Sequence, residues 1–367
     1  MKNGKLRVAV VGLRFGADFV PIWCKHPDVY AVDIVDVKAS CLQKVLDDNP
    51  GVNKAYLSLD EALKDDGIDA VHLVTPIPLH ARQTLQVLRS GKHCACTVPA
   101  ACSLEDLSEI VETQRDTGKN YMMMETAAYT FQMLQVEKMY KAGEIGRIQL
   151  MRGCHYQDME NWPSYWCGLP PMHYATHAIA PLLKLADARP TEVVCFGSGT
   201  MREELQKPYG NPFPAETALF KLENTPAVVE LTRTLCETAR AYCEGFGVYG
   251  SKTSFEWFFN DHSVFECFAD DPDDGIVHWG RSCKKEKLES FPDTGYMLPP
   301  EIAGFTQTCG HHGSHPHLIH EFVRSILEGR PAAIDAVKAA QWTAAGICAH
   351  ESAMKDGERI RIPRFGM

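Results

Sequence analysis

The stretch PPMHYATHAIAP, Pro170 to Pro181, sets His173 and His177 four residues apart. On a helix that spacing puts both imidazoles on one face. Such a pair can ligate a metal, move a proton or fill a core. The segment from His311 to His320 contributes five more histidines. Spacing fixes no third ligand, so no resident metal is expected. Pro170 and Pro171 favour a helix start near His173. Pro181 lacks the N–H that would bond the carbonyl of residue 177, so the helix should loosen at His177.

A second group belongs to nucleotide chemistry. GLRFGA follows an apolar run, LRVAVVGL, and opens a helical stretch that extends to about Lys25. A dinucleotide fingerprint wants glycines at 12, 14 and 17. The chain has Gly12, Arg14 and Ala17, with Phe15 and an extra Gly16 between. Asp36 closes the next strand-like run, where an acid can bind a ribose 2′-hydroxyl and would repel a 2′-phosphate, so NAD is favoured over NADP. The turn TPIPLH, Thr75 to His80 with Pro76, follows a later strand, at the carboxyl edge where such sheets bind ligands.

The elements that must position these groups follow from periodicity. Val-rich runs at Leu6–Leu13, Val29–Asp36, Ala70–Pro76 and Lys92–Pro99 alternate with helical stretches, which predicts a doubly wound parallel sheet over residues 1–125. From 126 to 367 strand-like segments such as GRIQLMRGCHY, TEVVCFGSG, ALFKLEN and AVVELTRTL dominate. They predict a second α/β domain on a large open, mainly antiparallel sheet, closed by C-terminal helices. Trp162 and Trp166 in NWPSYWCG can stack on a sugar face or line a subunit contact. MMM, Met122 to Met124, reads as a buried strand.

The chain has 367 residues and a formal net charge of −10, with no basic block, which argues against nucleic-acid binding. No apolar run reaches membrane-spanning length, the N-terminus enters a strand at once, and the 14 cysteines contain no CxxC pair. A cytoplasmic protein with reduced thiols is expected.

VAVVGLRFGA, AVDIVD, HLVTPIPLHARQTLQVLRSGKHC, KAGEIGRI and THAIAPLL resemble the Gfo/Idh/MocA oxidoreductases over essentially the whole chain. The resemblance implies a Rossmann domain, a sheet-based substrate domain through which subunits form a dimer or tetramer, and a sugar-like substrate oxidised with NAD or NADP. It also implies cofactor contacts at Thr97, Val98 and Glu125 beside those of Gly12, Arg14, Phe15, Asp36, Thr75, Pro76 and His80. Most members carry Glu-Lys-Pro where this chain has Thr97, Val98 and Pro99, so the usual proton-carrying lysine is replaced by Val98. Many carry an Asp where this chain has His173.

YMMMETAAY, HYQDM and YATHAIAP look like the branch that contains NAD-dependent glycosidases, which also lacks the lysine and keeps NAD tightly bound. The resemblance maps Tyr156, Tyr174 and His177 near the reacting sugar, with Tyr129 and His311 on the substrate side. Asp158 stands where that branch tends to have His, and His312 where it tends to have Gly.

Without the lysine, His177 is the expected base, tuned or relayed by His173 or Tyr174. Oxidation of a ring hydroxyl at C3 acidifies the adjacent C2–H. A base there, Tyr156 or Asp158, could then expel the C1 substituent before water adds. The leading expectation is an NAD-dependent oxidoreductase on a sugar or glycoside. A redox-neutral glycosidase and a non-catalytic regulator responsive to sugar and NAD are the alternatives.

Overall fold

The computed structural model describes residues 1–258, 261–268, 282–288, 290–291 and 293–366. It divides into two compact units. The first combines Met1–Phe131 with Asp293–Ile347 and Pro363–Met367; the second combines Gln132–Pro292 with Cys348–Ile362. A division at residue 125 into 1–125 and 126–367 therefore misses a return of the chain. Residues 293–347 come back because the helix His315–Leu327 buries Leu318, Ile319, Phe322 and Val323. It packs on the helix Val20–Lys25, where Trp23 and Phe322 meet edge to face. Each such side chain contributes about 1.5–3 kcal/mol by burial, and neither helix could cover that surface alone.

The first unit is built on six parallel strands: β1 (Leu6–Val11), β2 (Val29–Val35), β3 (Val52–Tyr56), β4 (Ala70–Leu73), β5 (His93–Cys96) and β6 (Tyr121–Met123). Their order is β3-β2-β1-β4-β5-β6, the doubly wound order with its switch between β1 and β4. β1 is buried along its whole length, as a strand covered on both faces must be. The helical stretch expected through Lys25 is two pieces, Leu13–Gly16 and Val20–Lys25. Pro21 is the cause, since its ring crowds the carbonyl of residue 17 and it has no N–H to continue the ladder.

The second unit is built on nine strands: β7 (Ile148–Tyr156), β8 (Pro190–Ser198), β9 (Ala215–Leu222), β10 (Val228–Thr234), β11 (Cys243–Gly250), β12 (Thr253–Phe258), β13 (Asp261–Phe268), β14 (Ser282–Lys287) and β15 (Ile360–Arg361). The order is β14-β13-β12-β11-β7-β10-β9-β8-β15, and every neighbouring pair is antiparallel except β7 with β10. The helix Thr176–Ala186 lies on β7, β10 and β11. Gly153 makes that approach possible, for a Cβ there would stand 2.3 Å from the Ala178 carbonyl oxygen.

Candidate functional site

In the first unit the β1 turn is shaped by backbone. Gly12 has φ +89°, and a Cβ on it would lie 2.5 Å from the Val74 carbonyl oxygen, on the turn after β4. Gly16 sits buried on Val10 and Val74, taking the helix-to-strand contact that the fingerprint's third glycine makes. The sequence reading counted Gly16 only as an extra residue. Asp36 follows β2. Its Oδ2 accepts the Leu13 N–H at 2.8 Å and its Oδ1 the Lys38 N–H at 2.9 Å. Each oxygen keeps a second acceptor direction. Arg14 and Phe15 are exposed on the same turn. A left-handed glycine and an anchored acid fit a dinucleotide, which Gly12, Arg14, Phe15 and Asp36 would hold.

His80 connects two further loops of this unit. Its Nδ1 is 2.7 Å from the Pro99 carbonyl oxygen and its Nε2 is 2.7 Å from that of Thr75. Carbonyls only accept, so two such contacts need a doubly protonated ring. Burial opposes that charge, but Cys96 and the two carbonyls outweigh it and push the ring up to about 9. His80 is thus a buried strut under Thr75, Thr97 and Val98 and offers no surface to a ligand. Pro76 caps the 3-10 turn Ile77–Leu79. The buried Glu125 accepts the Ala127 N–H at 2.9 Å and so starts the turn Thr126–Tyr129. Tyr129 stacks on His317, and His311 meets the ring of Phe15. His311 and His312 both have left-handed backbone, φ +49° and +51°. Glycine takes that conformation without the steric cost that a side chain brings.

In the second unit the expected helical pair is broken. His173 lies in a 3-10 turn, Pro171–Tyr174, and the α-helix begins only at Thr176. Ala175, with φ −91° and ψ −2°, separates them, so His173 and His177 do not share a helical face. His173 meets His350 edge to face, and burial, with His350 next, pushes its pKa down to about 3. His177 is instead gathered with Tyr174 and His155. Tyr174 Oη and His177 Nε2 are 3.2 Å apart, and the His155 ring is 5.4 Å from that of His177. Trp166 packs edge-on against Tyr174 at 4.7 Å, and Trp162 against Trp166 at 6.2 Å. The buried indole N–H of Trp166 has no hydrogen-bond partner among the described residues.

Two expected members are not brought to this cluster. Tyr156 follows His155 on β7, so it points to the opposite face from the one that carries His155 and the helix over Gly153. Asp158 caps a local turn, accepting the Glu160 N–H at 3.0 Å. Two residues not expected at the site are central to it. One is His155, whose parity with Gly153 on β7 was the available signal. The other is Arg233, inside the strand-like run AVVELTRTL. Arg233 is fully buried, donates to the carbonyls of Tyr174 at 3.1 Å and His155 at 3.0 Å, and lies under the Tyr174 ring.

A doubly wound sheet with a glycine turn and an anchored acid is the dinucleotide-binding fold, and the second unit covers an open sheet with a helix that starts beside a tyrosine–histidine pair. Residues 6–125 match the family described as "Oxidoreductase family, NAD-binding Rossmann fold", and are a Gfo/Idh/MocA Rossmann domain. The chain is similar to a glycosyl hydrolase family 109 protein of Saccharopolyspora erythraea, 23% identical, covering 98% of this chain and 83% of that one. It is also similar to glycosyl hydrolase family 109 protein 1 of Bacteroides thetaiotaomicron, 30% identical over 48% of this chain and 42% of that one. In fold it resembles levoglucosan dehydrogenase, solved in complex with NADH and levoglucosan, with TM-score 0.79, 20% identity and coverage of 98% and 100%. Among the described residues no helix is long and apolar enough to cross a membrane.

Proposed function

We propose that the protein oxidises a ring carbinol of a sugar or glycoside, at C3, with Tyr174 and His177 as the base and NAD rather than NADP as cofactor. The carrying observation is the 3.2 Å contact of Tyr174 Oη with His177 Nε2 in a chain whose lysine position is Val98. NAD, when bound, supplies the hydride acceptor. With His177 Nε2 accepting, the Tyr174 phenol donates to it, so its oxygen can take the sugar O–H proton as its own proton moves to His177. A positioned base is worth about 10²–10⁴-fold at neutral pH, because a carbinol is a poor acid. Trp162 and Trp166 offer ring faces beside Tyr174 for the apolar side of a sugar. The carboxylate of Asp36 favours a 2′-hydroxyl over a 2′-phosphate. We further place the reaction in a homo-oligomer.

A second reading is favoured by the relatives named glycosyl hydrolase family 109. In it the 3-keto glycoside loses its C2 proton and C1 substituent, takes up water, and then regains at C3 the hydride and proton first removed, so that no net redox change results. An aryl glycoside incubated with the protein, with and without added NAD, separates the two. Sugar-dependent NADH absorbance with the aglycone still attached supports the oxidoreductase. Aglycone release with no net NADH supports the glycosidase. Sugar binding across a broad panel with neither product overturns both and leaves a regulator.

A further inference from the structure

The strands under Tyr174 and His177 carry an uninterrupted row of ionisable side chains. In register, Glu244 on β11 faces His155 on β7, His155 faces Arg233 on β10, and Arg233 faces Glu216 on β9. All four are buried. The row is fastened to the segment above it at three points. Glu216 Oε2 accepts the Met172 N–H at 2.8 Å, Arg233 Nε donates to the Tyr174 carbonyl, and the His155 ring touches those of Tyr174 and His177. At the far end of Glu216, Oε1 is 2.7 Å from His350 Nδ1, a contact that a neutral ring can make. At the other end desolvation and then the nearby Glu244 charge push the Tyr242 phenol up, and its ring meets His155 edge-on. Two carboxylates therefore flank one guanidinium. With His155 and His350 both neutral, the row is one positive charge short.

We propose that the row Glu244–His155–Arg233–Glu216 is the charge balance of the base, and that the proton drawn from the sugar by Tyr174 and His177 is held against Glu244 through His155. His155 and Glu244 are then positioning residues for the reaction, and this inference rests on the reading of His177 as base. The groups facing His155 are His177 and Tyr174 from above, Tyr242 and Glu244 along β11, and Arg233 on β10. A new imidazolium at His177, itself buried, with the Arg233 charge already under the neighbouring Tyr174 ring, needs such a counter-charge. Side chains directly opposite on neighbouring antiparallel strands have Cβ atoms about 4.5–5.5 Å apart, within reach of an imidazole and a carboxylate.

The test is the protonation midpoint of His177, followed by NMR of ring-labelled histidine and assigned by its absence in His177→Asn. Glu244→Gln should lower that midpoint by about one pH unit, the size of one lost opposite charge. Tyr242→Phe removes a polar neighbour of Glu244, leaves the carboxylate charge less screened, and should raise the midpoint. In a His155→Asn background Glu244→Gln should shift it no further. Should Glu244→Gln fail to fold, Tyr242→Phe gives the same readout with the opposite sign. A His177 midpoint that stays in place in the folded variants overturns the proposal, since a purely structural role would leave it there. The titration needs no turnover. Shifted midpoints in a protein without dehydrogenase or glycosidase activity would overturn the functional reading and leave the row intact. Turnover with unmoved midpoints would do the reverse.

Discussion

At the end of β1 the backbone itself is shaped for a ligand. Gly12 is left-handed, no Cβ fits against Val74, and Asp36 accepts two main-chain N–H groups. At the end of β7 the backbone is ordinary strand, and what gathers there is a cluster of ionisable side chains. His155 and Arg233, from two strands, meet Tyr174 and His177 from a turn and a helix start, and Glu244 stands opposite His155 on a third strand. The first region is set by its backbone conformation and by the close approaches at Gly12 and Gly16, where a Cβ would press on Val74. The second depends on the ionisation of particular groups and on Gly153, which lets the helix come close.

The sharpest way to break this comparison is His177→Ala. The base contribution of about 10²–10⁴ should be lost from kcat, while nucleotide copurifies as before. Steady-state kinetics and the absorbance of bound nucleotide give the two readouts. Near-normal turnover would remove His177 from the chemistry.

Gly12→Ala attacks the other region. A left-handed non-glycine costs about 1–3 kcal/mol, and the clash with Val74 adds overpacking of similar size. NAD affinity, measured by fluorescence titration, should fall by at least about tenfold while the His177 titration stays unchanged. An unchanged affinity would mean that the turn is not the nucleotide site.

How much of this was legible in the sequence follows the same divide. Gly12, Asp36 and the TPIPLH turn stand out because a local backbone demand selects residue types at fixed spacing. The strand alternation of the first domain was legible for the same reason, though the break at Pro21 and the role of Gly16 were not credited. His173 and His177 looked paired because spacing says nothing of Ala175, where a 3-10 turn hands over to an α-helix. Arg233 and Glu244 could not be placed from sequence, because strand register across β11, β7, β10 and β9 is a tertiary property. His155 was within reach, since β-alternation sets it on the same side as Gly153.

The first unit also holds a histidine buried among aromatic rings, and it gives a milder test. His315 stacks on Phe19, and neither of its ring nitrogens has a hydrogen-bond partner among the described residues. Burial pushes it down to about 4, below its ordinary unfolded value of about 6.5. The unfolded chain therefore takes up the proton first as pH falls. The stability associated with the neutral ring is present above about pH 6.5 and lost on the way to about 4. His315→Phe should abolish that share, so between pH 7 and 5 its urea stability should fall by about 2 kcal/mol less than that of the parent. Equal losses would mean that His315 is not held neutral.

Asp36→Ala should weaken NAD by about tenfold, one charge-assisted hydrogen bond, and narrow the preference over NADP. Competition titrations with the two nucleotides measure both. If NADP gains nothing, the carboxylate does not select the ribose.

The smallest effect is expected at the residue that first drew attention. His173 is kept neutral by burial, its Nδ1 has no partner among the described residues, and its ring rests on His350 rather than on His177. His350 is committed to Glu216, at the end of the buried row away from His155. His173→Asn should therefore change kcat by less than about threefold, under 1 kcal/mol, and leave the acidic limb of the pH profile where it was. A loss matching that of His177→Ala would mean that the two histidines act as a pair despite the break at Ala175. The boundary between chemistry and packing in this segment would then have to be drawn again.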